Sequence, residues 1–135
     1  KNRERIMELL QKETRLQQIV KLVGSDALPD SQNFILEVCS LFKNAFLQQN
    51  AFDEIDRYCS VEKQIAMMDI ILQYYDEGSD AISKGVPMVK IRRLSVVQDI
   101  ARMRFSVSND NVSEIDRLSL RLQRSIMQLG GLYEE

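Results

Sequence analysis

The chain has 135 residues with 20 acidic and 18 basic side chains, and its formal net charge of −2 forces no polyelectrolyte partner. It contains no histidine, which removes the commonest general base, the usual partner of a nucleophilic Ser or Cys, and the commonest metal ligand. A chain of this length makes one domain, buries roughly two-thirds of the surface it would expose unfolded, and needs no covalent staple.

Lys1 already lies inside a helical pattern, with neither an initiator Met nor a cap before it. Residues 1–135 therefore read as a single domain cut from a longer polypeptide. From about Asn2 to Val23, apolar residues recur at Ile6, Leu9, Leu10, Leu16, Ile19, Val20 and Val23 with polar residues between, which predicts an amphipathic helix. Gly24 is placed to end it. A short acidic connection follows, Ser25-Asp26-Ala27-Leu28-Pro29-Asp30, in which Pro29 suits the start of the next helix because its missing N–H is not needed there.

The second helix carries Phe34, Ile35, Val38, Leu41, Phe42 and Ala45 on one face and runs into Phe46-Leu47-Gln48-Gln49-Asn50-Ala51-Phe52. Asn50 favours a turn, because its side chain competes for backbone groups. The segment from Asp53 to Cys59 is charged and aromatic without sustained periodicity, and reads as a loop. Ser60 is the expected N-cap of a long third helix with Val61, Ile65, Met68, Leu72 and Tyr75 on one side and Met67, Ile71 and Tyr74 adjacent. Gly78 weakens its far end by roughly 1 kcal/mol relative to Ala, and Gly85-Val86-Pro87 ends it.

A short helix follows Pro87. Ser95-Val96-Val97-Gln98 has the form of a capping box and starts another that reaches about Arg104. A last helix begins near Asn111, with Ile115, Leu118, Leu122, Ile126 and Leu129 on one stripe, and stops at Gly130-Gly131. No strand-like alternation competes. The fold expected is all-α, five to six helices in a bundle or orthogonal array, without a sheet.

The chemistry-bearing residues are few. None of the five glycines belongs to a phosphate-cradling G-x-x-x-x-G-K-S/T or G-x-G-x-x-G run, so the chain alone is a poor candidate for an enzyme. No apolar run approaches a membrane span, and no signal-peptide pattern opens the chain. Cys39 and Cys59, next to apolar helical patterns and lacking a second ligand, read as reduced, cytosolic and structural. Arg117, Arg121 and Arg124 share a helix face, as a phosphate-binding stripe would, but carboxylates lie beside them and no aromatics interleave, which favours a solvated or intersubunit face. Lys90, Arg92 and Arg93 read the same way. Asp53, Glu54 and Asp56 lack the spacing and glycine of a metal loop.

Two stretches remain. Phe46 to Phe52 sets amide donors and acceptors beside phenyl rings, a surface that suits the face and edges of a nucleobase. The same residues also suit a helix end whose phenylalanines are core. The turn Ser25 to Asp30 forms the tip of a helix hairpin with an exposed Leu28, a shape suited to pushing on a partner, although ordinary surface loops share it.

Leu22-Val23-Gly24-Ser25-Asp26-Ala27-Leu28-Pro29-Asp30, then Phe46-Leu47-Gln48-Gln49-Asn50-Ala51-Phe52, then Asp56-Arg57-Tyr58-Cys59-Ser60, closely resembles the C-terminal helical domain of the catalytic A subunit of archaeal-type and vacuolar-type rotary ATPases. The resemblance runs from about Met7 to Arg104, and the tail beyond matches only in being helical. Ser25 departs from it, since many relatives have proline there, which leaves the turn less rigid.

The resemblance implies that the phosphate loop, the magnesium ligands and the catalytic glutamate lie in a preceding nucleotide-binding domain. ATP or ADP with Mg then belongs to the full-length subunit, with nothing bound tightly by this chain alone. Implied for this chain is the adenine end of the pocket, at Ala51 and Phe52 with Gln49 and Asn50 beside them and Phe46 behind. Ser25 to Asp30 is the implied counterpart of the DELSEED loop of related ATP synthase beta subunits, which presses on the rotor. The implied partners are the upstream domain, neighbouring B subunits in an alternating A3B3 ring and the central stalk, on the cytoplasmic face of the cell membrane, with no nucleic acid and no membrane insertion. The alternative from another class is a freestanding helical adaptor that binds a protein helix or RNA.

Overall fold

The computed structural model describes residues 2–46 and 60–133. Among them seven α-helices and one 3-10 turn follow in order: α1 (Asn2–Val23), the turn (Ser25–Ala27), α2 (Asp30–Phe46), α3 (Val61–Ser83), α4 (Met88–Arg92), α5 (Ser95–Ala101), α6 (Met103–Ser106) and α7 (Ser113–Gly131). No strand occurs among the described residues, and the all-α expectation holds. The helices number more than five or six because the stretch after Ser95 breaks at Arg102, whose N–H turns back to the Asp99 carbonyl (3.2 Å).

Helix α3 is the centre. α2 and α7 both pack on it, α1 packs chiefly on α2, and the short helices α4 and α5 fill the space between α2 and α7. Phe34, Met67, Ile71, Tyr74, Ile91, Ile100, Met103 and Leu122 form the dry interior. Each large side chain removed from water this completely contributes about 1.5–3 kcal/mol.

The crossing of α2 and α3 is set by one ring and one missing side chain. Phe34 meets Tyr74 edge-on, with centroids 5.0 Å apart, and lies nearly parallel to Tyr75 at 6.5 Å. Its far edge sits over Gly78, where a Cβ would come within 2.6 Å of Phe34 Cε2. The glycine that sequence marks as a weak point in the helix is thus the position where the two helices approach too closely for any side chain. Its intrinsic cost is offset by the burial that the approach allows.

Several faces differ from those the spacing predicts. On α3 the buried residues are Lys63, Met67, Ile70, Ile71, Leu72, Tyr74, Gly78 and Ala81, which include Leu72 of the expected side and Met67, Ile71 and Tyr74 beside it, while Val61 and Ile65 are 69% and 55% exposed. The helix is apolar around more than half its girdle, and both sides marked by the spacing contribute to the core, with Leu72 buried and Met68 and Tyr75 packed against it. On α1 Ile6, Leu9 and Leu16 are buried, whereas Ile19 and Val23 are exposed and no α1 residue after Leu16 is buried. Glu13 is buried too, in an ion pair with Lys43 of α2 (2.6 Å) that pins the two helices together.

Local signals at helix ends fared unevenly. The Ser60 hydroxyl accepts from the Lys63 N–H (3.1 Å), the expected N-cap. The capping box at Ser95 and Gln98 does not form. Leu94 occupies the cap position, Ser95 is already helical, and the Gln98 amide donates to the Arg92 carbonyl (3.3 Å) instead. Cys39 is buried, its thiol donates to the Leu9 carbonyl (3.4 Å), and burial pushes its pKa up to about 12, the setting of a structural thiol. Cys59 lies outside the described residues.

The Phe34 contact gives a test. Gly78→Ala improves helix propensity, yet it should lower Tm by roughly 5–10 °C, because overpacking costs more than the propensity gain. In a Phe34→Leu background the same substitution should cost little further, as read by thermal denaturation of both pairs.

Candidate functional site

Of the two stretches singled out by sequence, the acidic turn precedes α2 and Phe46 is its last described residue. A 17-residue helix places Asp30 and Phe46 roughly 25 Å apart.

At the N-terminal end, the α1–α2 hairpin turns through Gly24 (φ 88°, ψ 160°), a conformation that L side chains rarely adopt. The Gly24 N–H bonds to the Val20 carbonyl (2.8 Å), and the Leu28 N–H bonds to the Ser25 carbonyl (3.2 Å). Asn33, one turn into α2, donates its side-chain amide to the carbonyls of Ser25 (3.3 Å) and Leu28 (3.2 Å). The turn is therefore closed by hydrogen bonds without a proline at position 25.

Ser25, Asp26, Ala27, Pro29 and Asp30 are exposed. Leu28, expected to be exposed, is only 7% so. The 3-10 turn and the Asn33 bonds fold its backbone inward, and the tip that faces solvent is polar. Pro29 stands just before α2 and supplies the carbonyl that accepts from the Gln32 and Asn33 N–H groups (both 3.0 Å). The Asp30 carboxylate accepts the Met88 N–H (3.0 Å), so it also caps the start of α4.

Beside the tip a groove of about 320 Å³ is lined by Asp26, Asn33, Glu37, Met88 and Arg92, among others. Burial pushes the Glu37 carboxyl above the ordinary range, and the nearby Arg92 guanidinium opposes this.

At the C-terminal end, Phe46 is half-buried and stacks on Phe42 (4.8 Å, 29°). Gln49, Asn50, Ala51 and Phe52 lie outside the described residues, as do Asp53, Glu54 and Asp56. What flanks that segment is described, and sequence reasoning missed it. Lys63 and Arg104, 3% and 8% exposed, are buried cations. Arg104 Nη1 donates to the Ala45 carbonyl at the end of α2 (2.8 Å), and Lys63 Nζ donates to the Arg104 carbonyl (2.7 Å). The Ser60 N–H in turn bonds to Asn109 Oδ1 (3.0 Å). The one available sequence signal was spacing. Lys63 falls four residues before Met67 on the buried stripe, and Arg104 follows Met103 in an otherwise apolar turn.

The arginine face on α7 is largely engaged. Arg117 pairs with Glu114 (3.2 Å) and Arg121 with Asp99 (2.8 Å). Among the described residues no three His, Cys, Asp or Glu side chains are grouped to hold a metal ion, and no helix is long and apolar enough to cross a membrane.

Comparison with known proteins agrees with this layout. The family model for the C-terminal domain of V and A type ATP synthase matches residues 1–92, which include both ends of α2. The chain belongs to this family. The A subunit of the A-type ATP synthase of Pyrococcus abyssi is 50% identical over 103 residues, 76% of this chain and 10% of its own length. Its counterparts in Methanopyrus kandleri and Thermococcus onnurineus are each 42% identical, over 127 and 129 residues, 94% and 95% of this chain and 22% of each relative. The chain thus spans between a tenth and about a fifth of these relatives. A match of 127 residues must extend into α7, so the likeness does not end near Arg104 as the motifs alone suggest.

Glu37 supplies a pH test. Its carboxyl holds its proton more tightly folded than unfolded, so the stability it contributes is full in acid and is lost as pH rises through the raised pKa. Glu37→Gln should therefore raise Tm at pH 7, and the gain should close near pH 4, as measured by thermal melts at both values.

Proposed function

We propose that this chain is the rotor-facing helical end of the A subunit of a rotary A-type ATP synthase, a part that moves with nucleotide but performs no bond chemistry itself. In this reading Ala51 and Phe52, with Gln49, Asn50 and Phe46, form the adenine end of a pocket. Its phosphate and Mg-binding groups belong to an upstream domain of the same polypeptide. The turn Ser25 to Asp30, Asp26 included, bears on the central stalk. The whole subunit shares an alternating A3B3 ring with B subunits on the cytoplasmic face of the cell membrane, where ATP synthesis or hydrolysis is coupled to ion transport.

The observation that supports this reading is that α2, wedged on α3 through Phe34 and Gly78, has the acidic turn before its first residue and Phe46, the first residue of the second motif, as its last. A nucleotide that favours one orientation of the domain shifts the base end and the tip together, which is all that coupling requires. The polar, hydrogen-bonded tip supports it further, because a push is transmitted only through a turn that does not collapse.

A stacked aromatic ring adds on the order of 1 kcal/mol beyond its area, so the base end cannot hold nucleotide unaided. Calorimetry of the isolated chain with MgATP should give no binding tighter than about 1 mM. In the assembled full-length complex, Asp26→Lys should leave nucleotide affinity unchanged and lower the torque or ion transport obtained per ATP. A tight, Mg-dependent complex of the isolated chain would overturn this division of labour.

A further inference from the structure

Gly130, like Gly78, sits inside a long helix, but the two glycines differ in what surrounds them. At Gly78 the Phe34 ring takes the space of the missing side chain. Gly130 has no left-handed backbone that calls for glycine, and a Cβ added to it would meet no described atom within 4 Å. It weakens α7 relative to alanine and serves no close contact among the described residues. A bare backbone of this kind admits close approach from outside the domain.

Gly130 opens on a groove of about 480 Å³ between α3 and α7. Ala81 and Ile126, 4% and 6% exposed, give it an apolar floor, and Met127, 67% exposed, stands at its rim. Farther back along both helices Gln73 Nε2 donates to the Ser119 carbonyl (2.9 Å), which fixes the two walls relative to each other. The α3 wall is acidic. Asp76 is engaged by Arg5 of α1 (2.5 Å) and Asp80 by Lys84 (3.0 Å). Glu77 lies between them in sequence and pairs with no cation among the described residues, and its buried Oε1 accepts no hydrogen bond from any of them. Burial raises the pKa of this carboxyl, the Gln73 side chain opposes the rise, and the Asp76 charge adds to it. A cation brought against Glu77 answers the Asp76 charge and gives Oε1 a donor.

We propose that the α3–α7 groove is the docking surface for a basic amphipathic helix of a protein partner, which seats an apolar side chain over Gly130 and Ile126 and sets a Lys or Arg against Glu77. Two packed helices leave between them a groove of the shape that a third helix fills, with apolar anchors a turn apart and a charged flank. Charge selects the partner's sign, because three carboxylates and one ammonium line the groove and an acidic segment would be repelled. None of these residues belongs to α2 or its flanking motifs, so the docking surface is independent of the nucleotide and stalk assignments.

The test uses the full-length protein in its purified, assembled complex. Gln123, exposed on the α7 wall, is replaced by p-benzoylphenylalanine, the complex is irradiated, and the cross-linked peptides are identified by mass spectrometry. The expected product joins Gln123 to a segment of a different polypeptide in which Lys or Arg lies within one helical turn of an apolar residue. Gly130→Leu fills the groove without striking a described neighbour at its Cβ, and should cut the cross-link yield about fivefold or more while leaving Tm unchanged or higher. Glu77→Lys should cut the yield by a similar factor, and Glu in place of the partner's cross-linked cation should restore it in that background. Should Glu77→Lys fail to assemble, Gly130→Leu decides alone. A cross-link to an acidic segment, a cross-link to a second copy of this chain, no cross-link to any other polypeptide, or a yield unchanged by Gly130→Leu would each overturn the proposal.

Discussion

The contact between the Phe34 ring and the bare backbone of Gly78 decides how α2 lies on α3, and most of the structure follows from it. With α3 so placed, Val61 and Ile65 are left in solvent and Lys63 is turned inward. It also fixes α2 as a strut whose two ends are held separately, by Asp30 at the start of α4 and by Arg104 at the Ala45 carbonyl. Interiors at native density do not deform continuously, so a helix wedged in this way moves as a body. A motif at either end of α2 is then linked to the other by the helix, with no chain of side-chain rearrangements required.

That arrangement sets the acidic turn and Phe46, from the two family motifs, at opposite ends of one helix. Its acidic tip is polar and closed by Asn33, and its Asp30 caps α4. At its other end Arg104 donates to the Ala45 carbonyl and Lys63 to the Arg104 carbonyl. Buried charge costs desolvation unless it is fully paired, and a buried pair is weak evidence for stability as such. Both cations have carbonyl acceptors at short range.

The sequence made the local features legible and hid the distant ones. The ends of α1, the Gly24 turn and the Ser60 cap were all readable, because each depends on residues within a turn of one another. The all-α class followed from the same periodicity. Leu28 was misplaced because its burial depends on Asn33 and a 3-10 turn that composition does not announce. The capping box at Ser95 failed because Leu94 and the Arg92 carbonyl offered a different helix start. Arg104 and Lys63 could not be recognised, since their partners lie 59 and 41 positions away. Gly78 looked like a weak helix end for the same reason: Phe34, which gives it meaning, sits on another helix. At the candidate site, Phe46 is half-buried against Phe42, the tip residues other than Leu28 are exposed, and Gln49 to Phe52 lie outside the described residues.

The central claim is that α2 transmits position without bending between a base-facing end and a rotor-facing end. Spin labels on the exposed positions Ser31 and Asn44, with a third on the upstream nucleotide-binding domain of the full-length complex, measure this directly by electron-electron distance methods. The account predicts a 31-to-44 separation that stays near 20 Å of helix length in every nucleotide state. The distance from either label to the upstream domain should change between ATP-bound and empty sites. A distance to the upstream domain that stays fixed across nucleotide states, or a 31-to-44 separation that shifts with nucleotide, would contradict it.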